Sequence, residues 1–383
     1  MPGKLVASAY VAFAAFGSFW GVWGASVPRV QDQAGVDDGE LGIALLFVGA
    51  GALPAMLLAG RALDRWGLRV GAGVIALLGV VGAGLALGAR DLPSLCAGLA
   101  VAGAASGAAD VAMNSVAGRA EQLAEHPVIT RAHGTFSAFV VLSSLATGLA
   151  AGADAPVAAP FVAVAALLVA AGAAMYRALP PGTIPDERGN TTADGPMPLL
   201  PLLLVGTLGA LAFASENAHQ SWSAVFAQDE LQARATFTSV APAVFAATVA
   251  VTRFAIGGLD PRHAKAVILG GAAGAGAGAL IIAAAPNLLT AALGLVVAGA
   301  GTAVLFPTII GIVSRNVEES RRGRATSVVT VVSYMGFLLG PVYVGLWADA
   351  TDLRGAMVAV AALAAALFVL TPLLLRLSGF DRP

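Results

Sequence analysis

The chain is poor in charge, in cysteine and in lysine. Aspartate, glutamate, lysine and arginine make up 11% of its 383 residues, against roughly 25% in a soluble domain, so an ordinary soluble fold is excluded. The net charge is −1, and no global field draws nucleic acid to it. Cysteine occurs once, at Cys96 inside an apolar run, which removes a disulfide framework and any cysteine-based metal spacing. Lysine stands only at Lys4 and Lys265; the excess of arginine is ascribed to genomic composition. The glycine-rich run 270–280 has no G-K-[ST] and no strand-loop-helix context, so no ATP site is read there. Glu216 and His219 have the Glu-x-x-His spacing of di-iron bundles, yet no second such motif lies in a span, which excludes that metal site. No cofactor and no metal are expected, and no nucleophile-base set points to an enzyme.

What the chain has in excess is apolar length. Hydrophobic residues are 58% of the total and the mean hydropathy is +0.84, which marks an all-α integral membrane protein. At about 20 apolar residues per crossing, twelve transmembrane helices are predicted, near 5–27, 41–60, 70–89, 92–118, 130–152, 156–176, 199–227, 235–256, 265–285, 288–314, 325–348 and 354–376. The first run follows Lys4 as a signal peptide would, but it continues to about Val27 and is read as a retained helix. A polar, Pro- and Gly-rich segment divides the chain into an N-terminal bundle 1–176, a linker 177–198 and a C-terminal bundle 199–383. With a cytoplasmic N-terminus, every arginine and lysine except Arg29, Arg90, Arg234 and Arg354 falls on the inner side, in accord with the positive-inside rule. Both termini are then cytoplasmic.

The two halves look duplicated. The shift that carries Asp64 onto Asp260 also carries Gly98 onto Gly294, Gly103 onto Gly299 and Arg119 onto Arg315. Internal repeats of this kind belong to secondary transporters, whose substrate site lies near the midplane. Two pseudo-symmetric six-helix bundles are therefore expected.

Polar residues inside the spans carry the functional argument. Asp110 lies in span four, where an acid costs about 2.5 to 3.5 kcal/mol on insertion scales and is functional by default. Ser106, Asp110 and Asn114 follow at i, i+4 and i+8, one helical face. Glu216 is the other acid well inside a span, with His219, Gln220 and Ser223 on its face. Either acid is placed to load a proton on one side of the membrane and release it on the other. Glu216 is the better coupling group, being deeper and one turn from a histidine; Asp110 with Asn114 is the better holder of substrate hydroxyls or a cationic group. Phe13, Phe16, Trp20 and Trp23 form an aromatic stripe in span one, serving as a stacking wall or a packing face. In the repeat Trp20 is the counterpart of Glu216 and Phe306 that of Asp110. Pro307 follows Phe306, where a local break would open the backbone, and Tyr334 adds a phenol in span eleven. The lesser alternative for each acid is a satisfied structural group, hydrogen-bonded to its neighbours and never titrating.

Between spans two and three, GRALDRWGLRV sets Gly60, Asp64, Arg65, Gly67 and Arg69 in a pattern that resembles the G-x-x-x-D-R-x-G-x-R loop of the major facilitator superfamily. The family's further basic residue is replaced by Val70, and the second-half copy around Gly257, Asp260 and Arg262 is degraded. VWGASVPRVQ, DVAMNS, ENAHQSWSAVF and RRGRATSVVTVVSYMGFLLGP resemble more narrowly a bacterial branch near the fucose permeases. The resemblance implies the major facilitator fold, with helices one, four, seven and ten lining a central cavity. It implies alternating access, driven by a gradient, for a small polar solute such as a sugar or related metabolite. Protons, the solute and membrane lipid are the expected partners, the bacterial cytoplasmic membrane the expected location, and a monomer the functional unit. An exporter working by proton antiport is the first alternative; it is disfavoured because the Gly336, Gly340, Pro341, Gly345 pattern sits in span eleven and span five has no proline. A membrane receptor or sensor on the same scaffold is the second.

Overall fold

In hydrocarbon a backbone must satisfy its own hydrogen bonds, and a long apolar run does so by forming a helix. The computed structural model describes residues 2–124, 128–182, 198–255 and 261–380. Among these, twelve helices are long and apolar enough to cross a membrane, as expected. Spans one to six are Gly3–Ala34, Asp38–Trp66, Arg69–Gly88, Leu92–Ala124, Ile129–Gly152 and Ala158–Ala178. Spans seven to twelve are Leu199–Asp229, Ala235–Ala255, Ala264–Ala283, Leu288–Asn316, Arg324–Ala350 and Leu353–Ser378. Several overrun their apolar runs, span four by a full turn, because a helix once started continues through polar residues that favour it.

The ends are set by local chemistry. Asp37 opens span two with a reciprocal box: its side chain accepts from the Glu40 N–H while Glu40 accepts from the Asp37 N–H. Asn287 and Asp352 cap spans ten and twelve by accepting from Thr290 N–H and Gly355 N–H. Gly67 closes span two at φ +78°, a left-handed conformation that a side chain would strain.

The chain forms two compact units. The first comprises Met1–Pro185 with Ala227–Ala243. In it span two packs on span four, span one on span five and span three on span six. Span five also packs on the 235–243 segment, where Ser144 Oγ donates to the Ser239 carbonyl at 3.1 Å. The second unit comprises Asp186–Phe226 with Val244–Pro383. There span nine packs on spans ten and twelve, and span eleven on span twelve. Its apolar core gathers Leu202, Val205, Leu208, Ile268, Ile309 and Leu367.

The duplication has a structural counterpart within each unit. Gly103 of span four lies against the backbone of Val48 in span two, and Gly299 of span ten against the backbone of Phe245 in span eight. Likewise Gly98 meets Leu85 where Gly294 meets Ile282. Lipid gives helices no hydrophobic reason to associate, so close backbone approach at small residues supplies the packing. Gly336 and Gly340 follow the same rule: they abut the backbone of Ala210 and Ala214, so span eleven packs on span seven. The degraded loop copy at Gly257 and Asp260, and linker residues 183–197, lie outside the described residues.

Candidate substrate and proton site

Span ten is broken where its proline requires. The helix runs Leu288–Ala303, turns at Val304 and resumes at Leu305–Asn316. Ala303 stands four residues before Pro307, which has no N–H to give its carbonyl. Arg253 of span eight donates Nε–H to that carbonyl at 3.3 Å. Its Nη2 donates in turn to Glu216 Oε1 of span seven at 2.9 Å. Three spans of the second unit are thereby joined through one guanidinium. Arg253, counted among the inner-side residues at the end of span eight, stands in the last turn of that helix and is the partner of the acid singled out for coupling.

An aromatic group adjoins this pair. Phe213 precedes Glu216 by one turn and Phe306 follows Ala303 by one turn, and their rings stack at 4.2 Å. Tyr334 of span eleven meets Phe213 edge-on at 5.5 Å. Spans seven and ten run in opposite directions, so a turn back on one and a turn forward on the other lead to the same side of the ion pair. Phe306 and Tyr334, both expected at the site, are brought together on Phe213, one turn before Glu216; Gln220, partly exposed, lies one turn beyond that acid on its own helix.

His219 is turned elsewhere. It is buried and its ring stacks on Phe245 of span eight at 5.6 Å. Nδ1 lies 2.7 Å from the Ser215 carbonyl, which can only accept, so Nδ1 carries a proton and, in the neutral ring, Nε2 is the bare acceptor. That Nε2 is buried without a hydrogen-bond partner among the described residues, as are the polar side-chain atoms of Ser215, Trp222 and Ser223 on the same helix face. Asn217, on another face, donates to the Phe337 carbonyl at 2.7 Å and ties span seven to span eleven.

In the first unit Asp110 and Asn114 share one face of span four, as the spacing requires. Asn114 Nδ2 donates to the Asp110 carbonyl at 2.9 Å and to its Oδ1 at 3.2 Å. His133 of span five is within electrostatic range of Asp110, and its ring packs on Phe13 at 4.8 Å. The stripe in span one divides: Phe13 and Phe16 are buried, Phe16 against Phe136 of span five. Trp20 is partly exposed and lines, with Trp23, Val48 and Gly103, an apolar crevice.

The loop motif is divided too. Arg69 donates Nε–H to the Leu179 carbonyl at 3.0 Å and lies over the Tyr176 ring at 4.7 Å, clamping the end of span six. Arg65 lies over Trp66. Asp64 is exposed, and nothing approaches the position a Cβ would take on Gly60. Gly60 therefore makes no close helix approach, while Gly67 contributes a turn at positive φ.

Arg253, Phe213 and His133 were missed in the sequence. An arginine inside the apolar run 240–255, and an aromatic at i−3 from an intramembrane acid, were the signals for the first two.

A sequence model described as the Major Facilitator Superfamily matches residues 9–265 and again 205–383. The chain is 28% identical over 357 residues to an uncharacterized MFS-type transporter of Yersinia pestis, covering 88% of this chain and 87% of the relative. It is 28% identical over 362 residues to membrane protein MosC of Rhizobium meliloti, covering 93% and 87%. Among solved structures, a mutant of nucleoside transporter NupG superposes with TM-score 0.79 at 13% identity, covering 97% of this chain and 99% of that one. A bacterial homolog of the human lysosomal transporter Spinster, inward-facing and occupied, superposes with TM-score 0.74 at 16% identity, covering 99% and 97%. At these identities the likeness extends to the fold.

Proposed function

Because the chain belongs to the major facilitator superfamily, we propose that it is a secondary transporter that moves a small polar solute together with protons across the bacterial cytoplasmic membrane by alternating access. The observation that carries the coupling is the 2.9 Å pair of Glu216 with Arg253, an intramembrane acid held by a cation on a neighbouring span. Protonation of Glu216 removes its charge and loosens that pair, so proton occupancy and the arrangement of spans seven, eight and ten are linked. Aromatic faces at Phe213, Phe306 and Tyr334 beside hydrogen-bonding groups suit a solute with both C–H and hydroxyl surfaces.

Asp110 with Asn114 serves as the polar site of the first half, and Trp20 as an apolar wall. Residues 1–176 and 199–383 act as the two halves of the alternating-access cycle, joined by 177–198, with a monomer as the working unit and both termini cytoplasmic. Arg69 holds span six and Gly67 the turn, so the Asp64 loop acts on the conformational cycle.

Proton flux in proteoliposomes tests the reading. Purified protein with an internal pH dye is exposed to sugars, sugar alcohols, organic acids and cationic drugs, with Glu216→Gln in parallel. Inward proton movement with a solute, lost in the variant, is the expected result. Protons moving against a drug would replace symport with export, and ligand binding with no flux of any kind would replace transport with sensing.

A further inference from the structure

The ion pair of the second unit is asymmetric. Arg253 keeps an anchor independent of Glu216, its Nε–H on the Ala303 carbonyl, and Pro307 ensures that no helical N–H competes for that carbonyl. A guanidinium carries five N–H donors in a rigid fork; the Ala303 carbonyl and Glu216 Oε1 take one each. The side chain of Arg253 is also the more open partner, 44% exposed against 17% for Glu216. An arginine fixed by the backbone at Nε, with its outer edge open, has the geometry of a carboxylate receptor. Glu216 occupies part of that edge as an internal stand-in.

We propose that Arg253 receives a carboxylate of the transported solute, so that the substrate is a small hydroxylated carboxylic acid whose anion displaces Glu216 from the guanidinium. This rests on the transport reading above. A neutral solute that displaced Glu216 would leave the guanidinium without a counter-charge, a costly exchange in a partly buried site; a carboxylate replaces like with like. The stacked rings of Phe213 and Phe306 lie one turn from the pair and offer an apolar face to the C–H side of the same molecule. The displaced Glu216 carboxylate takes up one proton, so one anion and one proton travel together and no net charge moves. Of the other titratable groups among the described residues of these spans, His219 is turned toward Phe245 and Tyr334 meets Phe213 in the aromatic group.

The test compares matched acids and neutral amides on the full-length protein. Thermal stabilisation is measured with gluconate and gluconamide, galacturonate and galacturonamide, and quinate and quinamide, for wild type, Arg253→Gln and Glu216→Gln. At least one acid is expected to bind about tenfold more tightly than its amide, the scale of a hydrogen-bonded charge. That preference should fall to within about twofold in Arg253→Gln. In Glu216→Gln, which keeps Arg253 and its backbone anchor, acid binding should tighten because the internal competitor has lost its charge and a neutral amide oxygen holds the guanidinium less strongly. Should Arg253→Gln fail to fold, the sign of the Glu216→Gln effect decides: tighter acid binding supports the assignment, and weaker or unchanged binding overturns it. Amides or free sugars binding as well as acids, a preference surviving Arg253→Gln, or no acid binding at all would each overturn it. Flux of a neutral solute in proteoliposomes would sink this assignment while leaving the transporter reading intact.

Discussion

Arg253 caps the carbonyl of Ala303 at 3.3 Å, the carbonyl that Pro307 leaves without its helical partner. The break in span ten and the ion pair with Glu216 are thus one arrangement, since the same guanidinium serves both.

Pro307→Ala should separate them. With an N–H restored, the Ala303 carbonyl can take its helical bond, and Arg253 is left with Glu216 alone. A proline inside a helix costs about 3 kcal/mol, so thermal stability should be equal to or above that of the wild type, while solute-driven proton flux falls about tenfold. Wild-type flux in this variant would show that the break has no part in the cycle.

Glu216→Gln and Asp110→Asn keep acceptor oxygens for Arg253 and Asn114, so both should fold with near-normal yield. Each should lower solute-driven proton movement about tenfold or more, read by the internal dye. Asp64→Asn, at an exposed position, should leave solute affinity unchanged and slow turnover. If all three variants transported normally, the site assigned here would be wrong.

Gly103 and Gly60 should respond oppositely to alanine. A Cβ at Gly103 runs into the backbone of Val48, whereas at Gly60 it meets open space. Gly103→Ala should cost about 1–3 kcal/mol as overpacking, and Gly60→Ala should stay within about 0.5 kcal/mol. Midpoints of unfolding in one detergent provide the comparison; equal losses would contradict the repeat-related crossing of spans two and four.

Asp91 offers a pH test outside the spans. It caps span four by accepting from Ser94 N–H at 2.9 Å and from Ser94 Oγ at 2.5 Å, and those bonds hold its carboxyl below the ordinary 3.8. A lowered folded value means that the stabilisation is full above the unfolded value and is lost as pH falls through the folded one. The advantage of wild type over Asp91→Ala should therefore be flat near neutrality and shrink below about pH 4, the region of ordinary carboxylate values. Asp91→Asn, which still caps, should show no such loss, and parallel pH curves for all three proteins would remove the carboxylate's role.

The number of spans, their approximate limits, the duplication and the two acids within spans are legible along the chain, because each depends on composition or spacing. Twenty apolar residues demand a helix in lipid, an acid among them is conspicuous, and a proline in span ten announces a break before anything else is known. The glycine pairs Gly103/Gly299 and Gly98/Gly294, cheap as sequence matches, became meaningful once their neighbours could be compared.

What those groups meet follows from the packing of the helices. That Glu216 faces Arg253, that Arg253 reaches the Ala303 carbonyl, and that Phe213 and Phe306 stack all depend on how three helices cross, which no periodicity along a single helix encodes. His219 shows the limit most plainly: spacing puts it on the face of Glu216, yet its ring lies buried on Phe245 with Nδ1 on its own helix. A helical face spans a wide arc, and the direction a side chain takes within it is settled by the neighbour that has room for it.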